Sequence, residues 1–149
     1  GDRLIEIDGM KAFVLVKAGE SALGKPITIT QKDIRELQLA KGAIATGIRI
    51  LMMELGIAVE DIDEVLLAGA FGNYLNPYSA CRIGLIPMAL FERIRPVGNA
   101  AGTGAKIALL SRQQLQRANA LARTVEHIEL SGHPRFTEVF AEALNYPRD

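Results

Sequence analysis

Val65-Leu66-Leu67-Ala68-Gly69-Ala70-Phe71-Gly72-Asn73 is the stretch that decides the fold. Its first four residues are all apolar, without the alternation of a strand that faces water on one side, so they describe a short strand covered on both faces. The strand stops at a turn bracketed by Gly69 and Gly72. Asn76 then caps a helix opened by Pro77, with Gly84 as its stop, and a second short helix begins at Pro87. Residues 94–97 repeat the pattern, a short strand running into Gly98-Asn99-Ala100-Ala101-Gly102-Thr103-Gly104 and a helix continuing through Ile107, Leu110, Leu115, Ala118 and Leu121. Strands alternating with helices imply an α/β fold with parallel pairing. Residues 125–130 read as one more strand, and Phe136, Val139, Phe140 and Leu144 mark a closing helix.

Upstream, Leu4-Ile5-Glu6-Ile7 and Ala12-Phe13-Val14-Leu15-Val16 form a hairpin about Asp8-Gly9, where glycine takes the positive φ of a tight turn. Thr30, three residues before Asp33, starts a long helix at Gln31 in the manner of a capping box. Apolar residues at helical spacing carry that helix to Leu55, where Gly56 suits a left-handed cap. The expected lobe has the hairpin and Val65–Ala68 in one sheet, with the Gln31–Leu55 helix packed on it.

A length of 149 residues suits one domain, and 49% apolar with 23% charged residues is ordinary for a folded one. The formal net charge of zero removes the basic bias of a dedicated nucleic-acid binder. Cys81 is the single cysteine, so neither an internal disulfide nor a cysteine-held zinc or iron–sulfur site can be built from this chain, and a cytoplasmic location is expected. No apolar run approaches the roughly 20 residues that span a bilayer, so no membrane partner is expected.

Three motifs invite a ligand, and each has a plain structural alternative. The Gly69 turn lets backbone approach a base or sugar at the carboxyl end of a strand, and Asn73 can bond a hydroxyl; otherwise it is an ordinary strand-to-helix turn. The Gly98 to Lys106 stretch lacks the third glycine of a dinucleotide fingerprint, because Ile107 stands there, and Ala105 separates Gly104 from Lys106, which excludes a P-loop. An imperfect Rossmann half and tight helix packing both remain open for it. On the long helix, Gln38 and Lys41 lie three apart on one face and can present donors to one ligand, or to solvent. The acids Glu60, Asp61, Asp63 and Glu64 and the pair His127 and His133 are read as solvated or structural, with no metal assigned. No nucleophile–base constellation is visible, so catalytic residues are unassigned.

Taken together, the chain resembles the C-terminal part of the ATPase domain of reductive activators of corrinoid proteins, in the acetate and sugar kinase, heat-shock chaperone and actin superfamily. The resemblance rests on residues 29–44 (ITQKDIRELQLAKGAI), 66–77 (LLAGAFGNYLNP) and 98–105 (GNAAGTGA), with Ile128-Glu129-Leu130 and Pro134-x-Phe136 at the end. It implies a ribonuclease H-like lobe of the actin-like ATPase fold spanning residues 1–149, the C-terminal lobe of a longer protein. It places the adenosine of ATP against Gly69, Ala70, Phe71, Gly72 and Asn73, the second connecting motif at Asn99 and Gly102, and adenine near Gln38 and Lys41. The superfamily's phosphate motifs and magnesium-holding acids have no match here. Magnesium and the iron–sulfur cluster of a ferredoxin-linked activator would therefore be held by other parts of the protein, and this lobe alone should not hydrolyse ATP. The implied partner is a corrinoid protein, with a second copy of the chain also conceivable. A docking or dimerisation module with a vestigial nucleotide site is the alternative from another class.

Overall fold

The structure is a computed structural model that describes residues 2–147, the side chains of Phe71 and Asn73 excepted. It opens with β1 (Leu4–Ile7) and β2 (Met10–Val16), joined by a two-residue turn in which Asp8 (φ 51°) and Gly9 (φ 76°) both take positive φ. That is the backbone a right-twisted hairpin requires. β3 (Ile27–Thr30), which the sequence reading missed, pairs antiparallel with β2 and completes a sheet of order β1-β2-β3. Its Ile-Thr-Ile-Thr alternation is too short to stand out beside the helix cap that it shares.

Thr30 is that cap. The Asp33 amide donates to the Thr30 hydroxyl at 3.2 Å, and the Thr30 amide donates to the Asp33 carboxylate at 2.8 Å, closing a reciprocal pair at the start of α1 (Gln31–Leu55). Gly56 ends α1 at φ 64°, in the left-handed conformation expected of it. The helix lies against β2 and β3, and Ala12 and Val14 are buried.

β4 (Val65–Ala68) leads directly into α2 (Gly69–Tyr74), so the glycine turn of the sequence reading is a short helix. α3 (Pro77–Arg82) follows, capped by the Asn76 carboxamide, which accepts from the Ser79 amide at 2.9 Å. The segment expected to be helical from Pro87 is a 3-10 turn over Met88–Arg93. β5 (Ile94–Gly98) pairs in parallel with β4, Val65 opposite Ile94. Arg93 fixes the entry to both strands by donating to the carbonyls of Glu60 (2.8 Å) and Ile62. Beneath the pair, Ala80, Cys81, Ile86, Leu90 and Ile94 form a buried cluster flanked by Val65 and Leu67.

Three expectations are corrected. The hairpin and β4 belong to separate sheets among the described residues, because α1, about 37 Å long at 1.5 Å per residue, carries the chain from one sheet to the other. The single helix through Ile107 and Leu121 is two, α4 (Ala100–Leu110) and α5 (Arg112–Ala122). Ser111 breaks it with extended backbone (φ −141°, ψ 114°) and caps α5 by accepting from the Gln114 amide. Residues 125–130 form no strand; Leu130 instead packs against α1 at Gly47, and Glu129 bonds Ser131. Last comes α6 (Phe136–Ala143), which packs on α1 where Gly42 leaves room for Phe140 and Leu144.

Replacing Thr30 by Ala should cost about 1 kcal/mol in urea denaturation, the usual value of a helix cap. The hydrogen bonds from Thr30 hold the Asp33 carboxyl below its ordinary 3.8. A depressed folded value means that the carboxylate's contribution is present above pH 3.8 and fades as pH falls through the lower folded value. The Asp33→Asn variant should lose that acid sensitivity, which urea titrations between pH 5 and about 2 would read.

Candidate functional site

β4 and β5 end side by side, and each meets a glycine in the left-handed region there: Gly69 (φ 69°) directly follows β4, and Gly98 (φ 61°) is the last residue of β5. In open α/β sheets the carboxyl ends of parallel strands are where ligands bind, since strand ends and helix starts converge there without side chains filling the space. Gly69 fits that role on two counts. Its backbone conformation is one that side chains rarely tolerate, and a Cβ there would meet no atom within 4 Å. The position is exposed, as is Ala70.

Gly72 is a glycine for a different reason. A Cβ there would stand 2.2 Å from the Leu67 carbonyl oxygen and 3.4 Å from the Gly98 amide nitrogen, so α2 lies directly on the backbone of the strand pair. Close packing accounts for Gly72, while open space surrounds Gly69. The side chains of Phe71 and Asn73, expected at the adenosine, lie outside the described residues; their backbone belongs to α2.

Asn99 and Gly102 stand at the adjacent helix start. The Asn99 carboxamide oxygen accepts from the Gly102 amide at 2.9 Å and caps α4, and a Cβ on Gly102 would fall 2.5 Å from the Asn99 amide nitrogen. Asn99 is thus folded back over its own helix, a shape only glycine at 102 permits. Gly69, Ala70, Gly72, Asn99 and Gly102 are gathered at one end of the β4–β5 pair.

Gln38 and Lys41 are also brought together, but by the segment after α6. The Gln38 carboxamide donates to the Leu144 carbonyl at 3.1 Å, and the Lys41 ammonium donates to the Asn145 carbonyl. Lys41 also lies 5.0 Å from the centre of the Tyr146 ring, within cation–π reach. It is 1% exposed. Burial, and secondarily the Arg49 charge, lower its pKa below the usual lysine value. The sequence reading missed Asn145 and Tyr146, because contacts across 104 residues leave no local signal.

Of the two histidines, His133 has a structural role. His133 accepts from the Arg135 amide at Nδ1 (3.2 Å), which leaves Nε2 to donate to Glu54 at 2.9 Å and tie the end of α1. Cys81 is buried, and burial raises its thiol pKa, an unreactive setting. Among the described residues, no three His, Cys, Asp or Glu side chains are grouped to hold a metal ion. No helix among them is long and apolar enough to cross a membrane.

Residues 1–149 match the family described as the C-terminal domain of RACo, the ASKHA domain. The chain is 44% identical over 136 residues to the corrinoid activation enzyme RamQ of Eubacterium limosum, covering 91% of this chain and 23% of that protein. It is 29% identical over 139 residues to the [Co(II) methylated amine-specific corrinoid protein] reductase of Methanosarcina barkeri, covering 92% and 26%. A solved structure, the reductive activator for corrinoid, iron-sulfur protein, superposes with a TM-score of 0.84 at 38% identity, over 98% of this chain and 23% of that one. The chain thus spans about a quarter of the length of these relatives.

The three glycines separate by substitution. Gly72→Ala should cost about 3 kcal/mol or more through overpacking against the Leu67 carbonyl. Gly104→Ala, in an open helical position, should add about 0.5–1 kcal/mol. Gly102→Ala should cost about 1 kcal/mol by displacing the Asn99 cap, and urea midpoints would rank all three.

Proposed function

The chain belongs to the RACo C-terminal ASKHA domain family, and from that membership we propose that it supplies one wall of the nucleotide cleft of an ATP-dependent activator that returns a corrinoid cofactor to its reduced working state. The observation that carries the proposal is Gly69: a left-handed glycine surrounded by open space at the carboxyl end of a parallel pair, beside a second helix start at Asn99. A base and sugar can lie flat against backbone there, as glycine puts no side chain in the way.

In this reading Gly69, Ala70, Phe71, Gly72 and Asn73 face the adenosine, Asn99 and Gly102 set the angle at which α4 meets it, and Gln38 and Lys41 reach the adenine. The donor set defines what the chain leaves to other parts of the protein. Magnesium requires clustered oxygen ligands, and none are grouped among the described residues. One cysteine, buried in the core, cannot hold an iron–sulfur cluster, so the electrons come from a cluster bound elsewhere. When bound, ATP supplies binding energy that differs between open and closed arrangements of the cleft. The chain contributes by gripping the nucleoside in the closed one, since a nucleotide shifts an equilibrium only by the difference in its affinity for the two states. Closure then favours docking of the corrinoid protein within electron-transfer reach. The lone cysteine fits a reducing, cytoplasmic setting.

Phosphoryl transfer needs a metal, a phosphate cradle and a group orienting the nucleophile. Purified residues 1–149 with magnesium and ATP should therefore release no phosphate above background. Saturation-transfer NMR on the same sample should show contact with ADP and none with NAD. Phosphate release that Gly69→Asn abolishes would mean that the chain holds a complete catalytic site, and contact with NAD alone would point to a dinucleotide-binding half. Asparagine tolerates the left-handed backbone while filling the space above it, so the substitution tests the cleft and not the turn.

A further inference from the structure

Residues 144–147 run along the first half of α1 as a strap. The Leu144 and Asn145 carbonyls accept from Gln38 and Lys41, the Tyr146 ring lies 5.0 Å from the Lys41 ammonium, and the Tyr146 hydroxyl donates to the Ile34 carbonyl at 3.2 Å. At its far end Pro147 rests on the Gly84 turn, where a Cβ would meet the proline ring at 3.0 Å. Behind the strap lies a cavity of about 290 Å³ bordered by Lys41, Arg49, Gly84, Glu142 and Tyr146.

Lys41 is the one charged side chain among the described residues that is fully buried. A buried ammonium is normally matched by a carboxylate. The partners given to Lys41 here are a neutral carbonyl and an aromatic face. Arg49, a like charge, also borders the cavity, and the Arg49 guanidinium contacts the Glu142 carboxylate at 3.4 Å. Among the described residues, the strap thus shields this cation with uncharged groups, which water or a ligand can replace. It also takes up donors of the two side chains placed at the adenine in the reading above.

We propose that residues 144–147 are a releasable strap that competes with the nucleotide for Gln38 and Lys41, so that nucleotide binding opens the strap and strap closure weakens nucleotide binding. The inference rests on the assignment of Gln38 and Lys41 to the adenine. Competition of this kind lowers apparent affinity by the fraction of time the strap is open.

The test uses the full-length protein with ADP and reads hydrogen exchange and affinity together. ADP should slow exchange at residues 69–72 and speed it several-fold at 144–147. Tyr146→Ala should tighten ADP binding about tenfold if the strap is open about a tenth of the time. Tyr146→Phe, which keeps the ring and loses only the bond to the Ile34 carbonyl, should tighten it less and guards against a folding defect. If ADP protects 69–72 while exchange at 144–147 stays the same or slows, the strap is a fixed part of the wall; the proposal then fails and the nucleotide reading stands. If Lys41→Met and Gln38→Ala leave ADP affinity unchanged, the assignment to the adenine falls, and the strap proposal with it.

Discussion

The burial of the Lys41 ammonium against the segment that follows α6 is the constraint on which this arrangement turns. α1 is long, it lies against one sheet and it delivers the chain to the other, so whatever fixes it fixes the molecule. α6 packs where Gly42 leaves room, and residues 144–147 then close over Lys41 with carbonyls and a ring. His133 and Arg135 hold the other end of α1 through its Glu54 and Met53. The last third of the sequence thereby clasps its first third. Among the described residues the Lys41 charge is shielded by a carbonyl and a ring, a costly arrangement concentrated at one residue, and such concentrations of unfavourable energy are where a fold is most easily switched.

Glycine chemistry at the end of the β4–β5 pair divides the work between structure and binding. Gly72 lets α2 sit on the strand backbone, and Gly102 lets Asn99 fold over its own helix. Both are spent on packing, and both bring their elements close enough to leave Gly69 at the rim. There a left-handed backbone is required and no neighbour occupies the space. A motif that reads as uniformly glycine-rich thus contains one position left open and others spent on packing.

What was legible in the sequence was what is locally determined. The Asp8-Gly9 turn, the Thr30 cap, the Gly56 stop, the Asn76-Pro77 start and the apolar run at Val65 each carry their cause within a few residues. Failures came where a local pattern has two outcomes. The apolar period ran unbroken across Ser111, where a single extended residue restarts the helix. Residues 125–130 have strand-like composition but pair with no strand among the described residues, and Leu130 serves α1 instead. The division into two sheets and the clasp on Lys41 depend on contacts between distant residues, which no window along the chain contains. The expectation that Val65–Ala68 is covered on both faces is not met, since Leu66 and Ala68 are exposed and only Val65 and Leu67 turn to the buried cluster. The position of the Gly69 turn after an apolar strand was legible, whereas the partners of Gln38 and Lys41 were not.

The chain belongs to the RACo C-terminal ASKHA domain family, and the function proposed for it is that the Gly69 rim couples a nucleotide to reduction of a corrinoid protein. The most direct measurement is reduction of a corrinoid protein by the full-length protein, followed by cobalt absorbance, with and without ATP, for the native sequence and for Gly69→Asn. The account predicts ATP-dependent reduction by the native protein and, for a variant of unchanged urea stability, a rate at least about tenfold lower at limiting ATP, since filling the rim removes binding energy worth about 1.4 kcal/mol or more. Reduction that needs no ATP, or a variant as fast as the native protein at limiting ATP, would contradict it.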